Sequence, residues 1–365
     1  MGFIFDNIKT NQKIKALFIL PNLHAGGAER VFSFVSQNLD KTKFIPEMLV
    51  IGSDENVAYD VSGIKVTYLN KDRVLSGTHL IIEHILKSKP DVVLSSVDHM
   101  NVLMGVIAPL FIKTKFIIRV ASVLSKLRSF SKKNKIHQLV GNLSTRTIDR
   151  VICQSSDMAK DYIHLHPNIE SKIRIIGNPI TFDVPNVIPS KKLSESKEFI
   201  TVGRLSPEKG HLRLLEILKN IKYEYHYTIV GEGPQEQMIK QKVKEYGLEQ
   251  NTTFIPFTKN VSKYLLKSDY FLQGSYVEGF PNALLESCSH GIPVIAFNAP
   301  GGTKEIIVPN LNGILAENEE MFQKTLEDLN FSWNAQEIKN SVYEKYSKEQ
   351  IINQYENLIF DVIQK

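Results

Sequence analysis

The chain has 365 residues, enough for two cores rather than one, and its 42% hydrophobic and 23% charged residues are those of an ordinary globular protein. That composition excludes long disorder, and the longest apolar run, Val102 to Ile112, falls well short of the roughly 20 residues of a membrane-spanning helix. Net charge is +5, but residues 1–180 hold 24 basic and 15 acidic side chains, whereas residues 181–365 hold 20 and 24.

The first residues, MGFIFDNIKTNQKIK, lack the apolar stretch and cleavage site of a signal peptide. Cys153 and Cys288 show neither paired nor metal-ligand spacing. Both features predict a cytoplasmic location. Short apolar, β-branched runs then alternate with helix-period segments, the pattern of parallel α/β sheets. Strands are predicted at Lys15–Leu20, Glu47–Ile51, Lys65–Leu69, Val92–Ser95, Phe116–Val120, Val151–Gln154 and Ile173–Ile176. Helices such as Ala28–Leu39 and His79–Lys87 fill the gaps.

Directly after the first strand comes Leu23-His-Ala-Gly26-Gly27-Ala-Glu-Arg30. Paired glycines before a helix let a phosphate approach the backbone closely. A tight strand-to-helix turn explains them equally well, and the G-x-G-x-x-G dinucleotide fingerprint is absent. Between Lys113 and Arg150, ten basic residues face one acid, Asp149. Such a patch attracts anionic ligands or surfaces, unless it is merely a solvated face. Nucleic acid is not expected, because no recognition motif or aromatic-studded basic sheet accompanies the charge. Lys126, Arg128, Lys132 and Lys133, interleaved with Leu124, Leu127 and Phe130, suit an anionic membrane surface.

Gly177–Ser196 is rich in Pro, Asn, Ser and Lys and reads as a linker. A second series of strands follows at Glu198–Val202, Tyr227–Val230, Thr253–Ile255, Tyr270–Leu272 and Val294–Phe297. Two Rossmann-like, doubly wound domains are therefore expected, residues 1–180 and 181–345, facing a central cleft. The helix-period tail, residues 346–365, is expected to pack back on the first domain.

The second domain carries the sharper motifs. Gly203-Arg204-Leu-Ser-Pro-Glu-Lys209-Gly210 follows its first strand, where ligands of open α/β sheets bind. Arg204 offers a planar fork and Lys209 a point charge, together suited to a diphosphate, although a basic loop is also ordinary surface. Gly231-Glu-Gly233-Pro234 makes a turn able to border a nucleobase. In Glu278-Gly279-Phe280-Pro281-Asn282-Ala283-Leu-Leu-Glu286, Pro281 is expected at the first helical position. The amides around Phe280–Ala283 would then point outward as an anion site. Glu286, one turn in, can accept from two ribose hydroxyls, and Glu278 can reach a donor sugar. The alternative makes them a helix-surface charge and a solvated loop residue. No D-x-D metal clamp, metal-ligand cluster, G-x-S-x-G elbow or Walker A loop is present in the sequence. No metal or cofactor is therefore expected.

Taken together, HAGGAER, GRLSPEKG, GEGP and EGFPNALLES with SHGIPVIA resemble a retaining glycosyltransferase of family 4, with the fold called GT-B, as in bacterial surface-polysaccharide synthesis. The resemblance implies that Arg204 and Lys209 hold the diphosphate of a nucleotide sugar, that Glu278 contacts the sugar and Glu286 the ribose. It also implies that Gly27, beside Gly26, approaches from the other domain. Ile255 and Phe257 would then lie near the base. Many relatives place a histidine after the strand matching Phe116–Val120. Here Arg119 stands instead, and His99, with Asn101, is the other candidate on the acceptor side.

The mechanism so implied is transfer of a hexose or N-acetylhexosamine with retention, from a UDP donor to a polyprenyl-diphosphate-linked glycan at the inner membrane face. Protein cations take the place of a metal, and the leaving phosphate takes the acceptor's proton. The alternatives are an epimerase or phosphorylase on the same fold, or a non-catalytic partner-binding subunit.

Overall fold

A computed structural model describes residues 12–128, 143–184, 188 and 196–364. In the first domain the strands are β1 (Ile14–Leu20), β2 (Phe44–Val50), β3 (Lys65–Tyr68), β4 (Val92–Ser96), β5 (Lys115–Arg119), β6 (Arg150–Cys153) and β7 (Ile173–Ile175). Among them run α1 (Gly27–Asn38), α2 (Thr78–Ser88), α3 (Asp98–Ile107), α4 (Leu124–Arg128) and α5 (Ser156–Leu165). The second domain has β8 (Lys197–Val202), β9 (Tyr225–Val230), β10 (Thr252–Ile255), β11 (Tyr270–Gln273), β12 (Val294–Phe297) and β13 (Gly313–Ala316). Its helices are α6 (His211–Leu218), α7 (Glu236–Glu245), α8 (Ser262–Leu265), α9 (Asn282–Ser289), α10 (Thr303–Ile306), α11 (Glu319–Glu327), α12 (Ala335–Tyr346) and α13 (Lys348–Ile363).

Both sheets are parallel and doubly wound. Their orders are β3-β2-β1-β4-β5-β6-β7 and β10-β9-β8-β11-β12-β13. Each order reverses beside its first strand, between β1 and β4 and between β8 and β11, and ligands of such sheets bind at that crevice. The strands are apolar on both faces because helices cover both. On β1, Ala16, Phe18 and Leu20 point to one core and Leu17 and Ile19 to another. The first of these cores is continuous across the domains, joining Phe18 and Val92 with Ile200, Val294 and Tyr355.

Most expected boundaries shift by one or two residues, and two differences are larger. Strand β2 begins at Phe44 and includes Pro46, which has no N–H to donate. Pro46 is tolerated because it pairs only with Ala16 on β1, and the ladder with β3 starts one residue later at Glu47. Strand β13 was not expected at all. It is a four-residue run with little β-branched character and stands at the edge of its sheet.

The tail divides at Ser347. Helix α13 lies against the first domain, where Glu356 accepts from the Asp40 amide at 2.7 Å and Phe360 meets Phe44 at 5.2 Å between ring centroids. No helix of the described residues is long and apolar enough to cross a membrane.

Candidate active site

The segment that runs from β11 into α9 meets the loops after β1 and β5 across the cleft, and Lys209 of the loop after β8 joins it through Glu278. Gly279 lies so close to the first domain that a Cβ there would stand 2.2 Å from the Ala121 carbonyl. The first turn of α5 adds a second contact, with Ser156 donating to Glu305 at 2.6 Å and Lys304 pairing with Asp157 at 2.9 Å.

Helix α9 begins at Asn282, so Pro281 is its N-cap and not its first helical residue. Neither Pro281 nor Gly26, the N-cap of α1, supplies a side-chain cap. Their first-turn N–H groups are therefore left for an outside acceptor. The two helix starts face each other, since a Cβ on Gly27 would stand 3.4 Å from Asn282 Nδ2. A Cβ on Gly26 would meet only the carboxylate end of the Glu29 side chain, which can swing aside. Burial, chiefly, raises the Glu29 carboxyl above its ordinary range.

Both carboxylates of the EGFPNALLE motif are buried and paired. Glu278, 7% exposed, takes Lys209 Nζ on both oxygens at 2.8 Å and the Ser275 hydroxyl on Oε1 at 2.5 Å. Glu286, also 7% exposed, accepts a short hydrogen bond from Arg30 of the first domain. Arg30 is held in turn by Thr181 Oγ1 at 2.5 Å and lies over the Phe182 ring. Arg204 is exposed, and its side chain makes no hydrogen bond among the described residues. Gly203 opens on empty space, whereas a Cβ on Gly231 would collide with the Gly203 carbonyl at 2.0 Å. Gly231 also donates to the Ile255 carbonyl at 2.9 Å, so the GEGP turn and Ile255 adjoin. The Phe257 ring beside them is 53% exposed.

The structure thus sets the residues expected to bind the donor on adjoining loops after β8, β9, β10 and β11. It separates the acceptor-side group. His99 is exposed in the first turn of α3, just after Val97, whose φ of 77° is strained for a β-branched residue. Asn101 is instead buried, accepting from Ser95 and donating to the Arg119 carbonyl at 2.9 Å. Arg119 is likewise turned inward and is 1% exposed. The cause is strand alternation, which puts Arg119 on the same face as Ile117, toward Phe32 and Tyr355. Desolvation lowers its pKa below the ordinary arginine value. Lys126 is exposed on α4. The Arg128 side chain, Lys132 and Lys133 lie outside the described residues.

Three residues without an assigned role in the sequence tie these loops together. Arg30 is a cation in the first turn of α1, where it opposes the helix dipole, and that placement is a signal of function. Arg213 donates to the Gly274 and Ser275 carbonyls and is stacked between Tyr276 and Phe297, at 4.0 and 3.5 Å from their ring centroids. It clamps the loop that carries Glu278, and burial brings its pKa down to about 10. Asn178, in the linker, bridges Arg119 and Asn282. Among the described residues no group of three or more His, Cys, Asp or Glu is close enough to hold a metal ion.

The model of the glycosyl transferases group 1 family matches residues 185–349. A glycosyltransferase of Haemophilus influenzae is 26% identical over 363 residues, spanning 94% of this chain and 98% of that one. An α-1,4-N-acetyl-D-galactosaminyltransferase of Campylobacter jejuni, whose name specifies an undecaprenol-diphosphate-linked glycan, is 26% identical over 86% of this chain and 88% of its own. Among solved structures, Anabaena HepE in complex with UDP and glucose superimposes with a TM-score of 0.78 at 17% identity, covering 95% of this chain and 100% of its own. The paired carboxylates and the facing helix starts thus lie in a two-domain GT-B fold, and over residues 185–349, less than half of its length, the chain is similar to the glycosyl transferases group 1 family.

Proposed function

We propose that the protein is a retaining, metal-independent glycosyltransferase that moves a hexose or N-acetylhexosamine from a UDP-sugar to a polyprenyl-diphosphate-linked glycan in bacterial surface-polysaccharide synthesis. The observation that carries this reading is the Lys209–Glu278 pair, set in the loop that leads into α9, whose first residue Asn282 faces Gly27. A diphosphate seated between the helix starts meets the amides near Phe280–Ala283, Lys209 and Arg204. Lys209 then exchanges part of its pairing with Glu278 for phosphate oxygens, which frees Glu278 for hydroxyls of the transferred sugar. Glu286 binds the ribose in this reading, and Ile255 and Phe257 flank the base.

The bond from the anomeric carbon to the diphosphate breaks while a bond to the acceptor oxygen forms on the same face. The acceptor's proton passes to the leaving diphosphate. Lys209, Arg204 and the α9 amides stabilise the charge that develops there. A lipid-linked acceptor draws support from the relative named for an undecaprenol-diphosphate-linked glycan. The basic stretch including Lys126 would hold the first domain at the inner face of the cytoplasmic membrane.

The test is transfer from a panel of nucleotide sugars to polyprenyl-diphosphate-linked glycans, read by mass spectrometry, with the anomeric configuration of the product read by NMR. Transfer from a UDP-sugar with retention, unaffected by EDTA, is expected. Inversion, or activity lost with EDTA and restored by magnesium, refutes the mechanism. Transfer from none of the donors refutes the function.

A further inference from the structure

Asn282 stands at the cleft, and only one end of its amide is used within the protein. Its Oδ1 accepts from Asn178 Nδ2 at 2.7 Å. Its Nδ2 makes no hydrogen bond among the described residues and faces Gly27. Asn178 is 2% exposed, and its Oδ1 accepts from Arg119 Nη2 at 2.5 Å. Arg119 is anchored from behind, with Nη1 donating to Ser96 Oγ at 3.3 Å.

An amide can face either way, but a guanidinium can only donate. Arg119 therefore obliges Asn178 to turn its oxygen inward and its NH2 toward Asn282. Asn282 must answer with its oxygen, which leaves its own NH2 aimed outward. The direction of every bond in this chain is set by the buried cation at its inner end. We infer that Arg119, acting through Asn178, is a positioning residue that fixes the polarity of the Asn282 amide so that it presents N–H donors to the diphosphate of the nucleotide sugar. The inference rests on the donor site proposed above.

Asn178→Asp tests it with almost no change of shape. A carboxylate at 178 can pair with Arg119 but has only acceptors for Asn282. The Asn282 NH2 must then turn inward and its oxygen outward, toward the anion. Binding of UDP and of uridine to the full-length protein is measured by calorimetry for the wild type, Asn178→Asp, Asn178→Leu and Arg119→Lys. In Asn178→Asp, UDP affinity falls about tenfold or more, the scale of one charged hydrogen bond. Uridine affinity and melting temperature stay near the wild type. Asn178→Leu adds no charge and frees Asn282 to turn, so its loss is intermediate. Arg119→Lys still donates and keeps most of the UDP affinity. Wild-type UDP binding in Asn178→Asp overturns the inference, as does a parallel loss of uridine. A wild type that binds UDP no better than uridine refutes the diphosphate site itself, and the inference with it.

Discussion

Replacing Lys209 with methionine removes a charge and keeps the aliphatic stem. In the structure Lys209 Nζ lies 2.8 Å from both oxygens of Glu278, whose side chain is 7% exposed, while the lysine is 29% exposed. At an effective dielectric of about 20 the attraction is about 6 kcal/mol, most of it offset by desolvation of the two ions. Leaving a buried carboxylate without its cation costs about 3 kcal/mol, and partial solvation of the lysine reduces that to about 2. The expected fall in melting temperature is about 4–8 °C for a domain of this size. Glu278→Gln removes the stranded charge, so the double variant should be more stable than Lys209→Met alone. UDP affinity should fall at least about tenfold in Lys209→Met, and should hold or rise in Glu278→Gln, where the ammonium is released for phosphate. Turnover should collapse in Glu278→Gln. Scanning calorimetry, UDP titration and steady-state kinetics on the four proteins close the cycle. Additive changes in stability, or weaker UDP binding in Glu278→Gln, would refute the coupling of this pair to the diphosphate.

Arg204→Ala should lower UDP affinity about tenfold without moving the melting temperature, because the side chain is exposed and unbonded among the described residues. Unchanged affinity excludes Arg204 from the phosphate site. Glu286→Ala should raise the donor KM more than it lowers kcat, since a ribose contact differs little between ground and transition states; a kcat effect alone would contradict it. His211, wholly buried, has its pKa pressed down from 6.5 to about 4, chiefly by desolvation. The unfolded chain binds its proton first, so this group's destabilising effect begins as pH falls below 6.5 and is complete by about 4. His211→Leu should flatten the loss of melting temperature across that window, and an unchanged slope assigns acid sensitivity elsewhere. The protein should bind anionic vesicles better than neutral ones, and glutamate at Lys126, Arg128, Lys132 and Lys133 should abolish the preference while sparing UDP binding. A persistent preference in that variant places the docking surface elsewhere.

Much of the architecture is legible because its signals are local. Alternating apolar runs mark the strands, and the glycine-rich turns mark their carboxyl ends, where the crevices form. Arg119 was legible too, had strand parity been applied, because a two-residue step from Ile117 points it inward. Other features leave no local trace. Arg30 meets Glu286 from 256 residues away, and Asn178 meets Asn282 from 104 away. Such partners depend on how two domains dock, and no periodicity within either domain encodes that. Pairing also changes what the carboxylates are. Glu278 and Glu286 look like loop and surface charges in one dimension, and both are enclosed beside a cation in three.

Helix α13 has a consequence for how the protein is made. Its residues cover Asp40 and Phe44 and bury Tyr355 beside Arg119, more than 200 positions earlier in the chain. At about 5–20 residues per second, the ribosome completes β7 roughly 10–40 seconds before it delivers α13. Through that interval the first domain has its strands but not its last covering helix. Phe44 and the apolar side of α1 stay open to solvent, and Arg119 lacks the cover of Tyr355. The nascent first domain is thus a waiting partner, exposed to chaperones and to neighbouring chains on the same message. Production from a slowed or stalled transcript should yield aggregates that a separately supplied α13 peptide reduces.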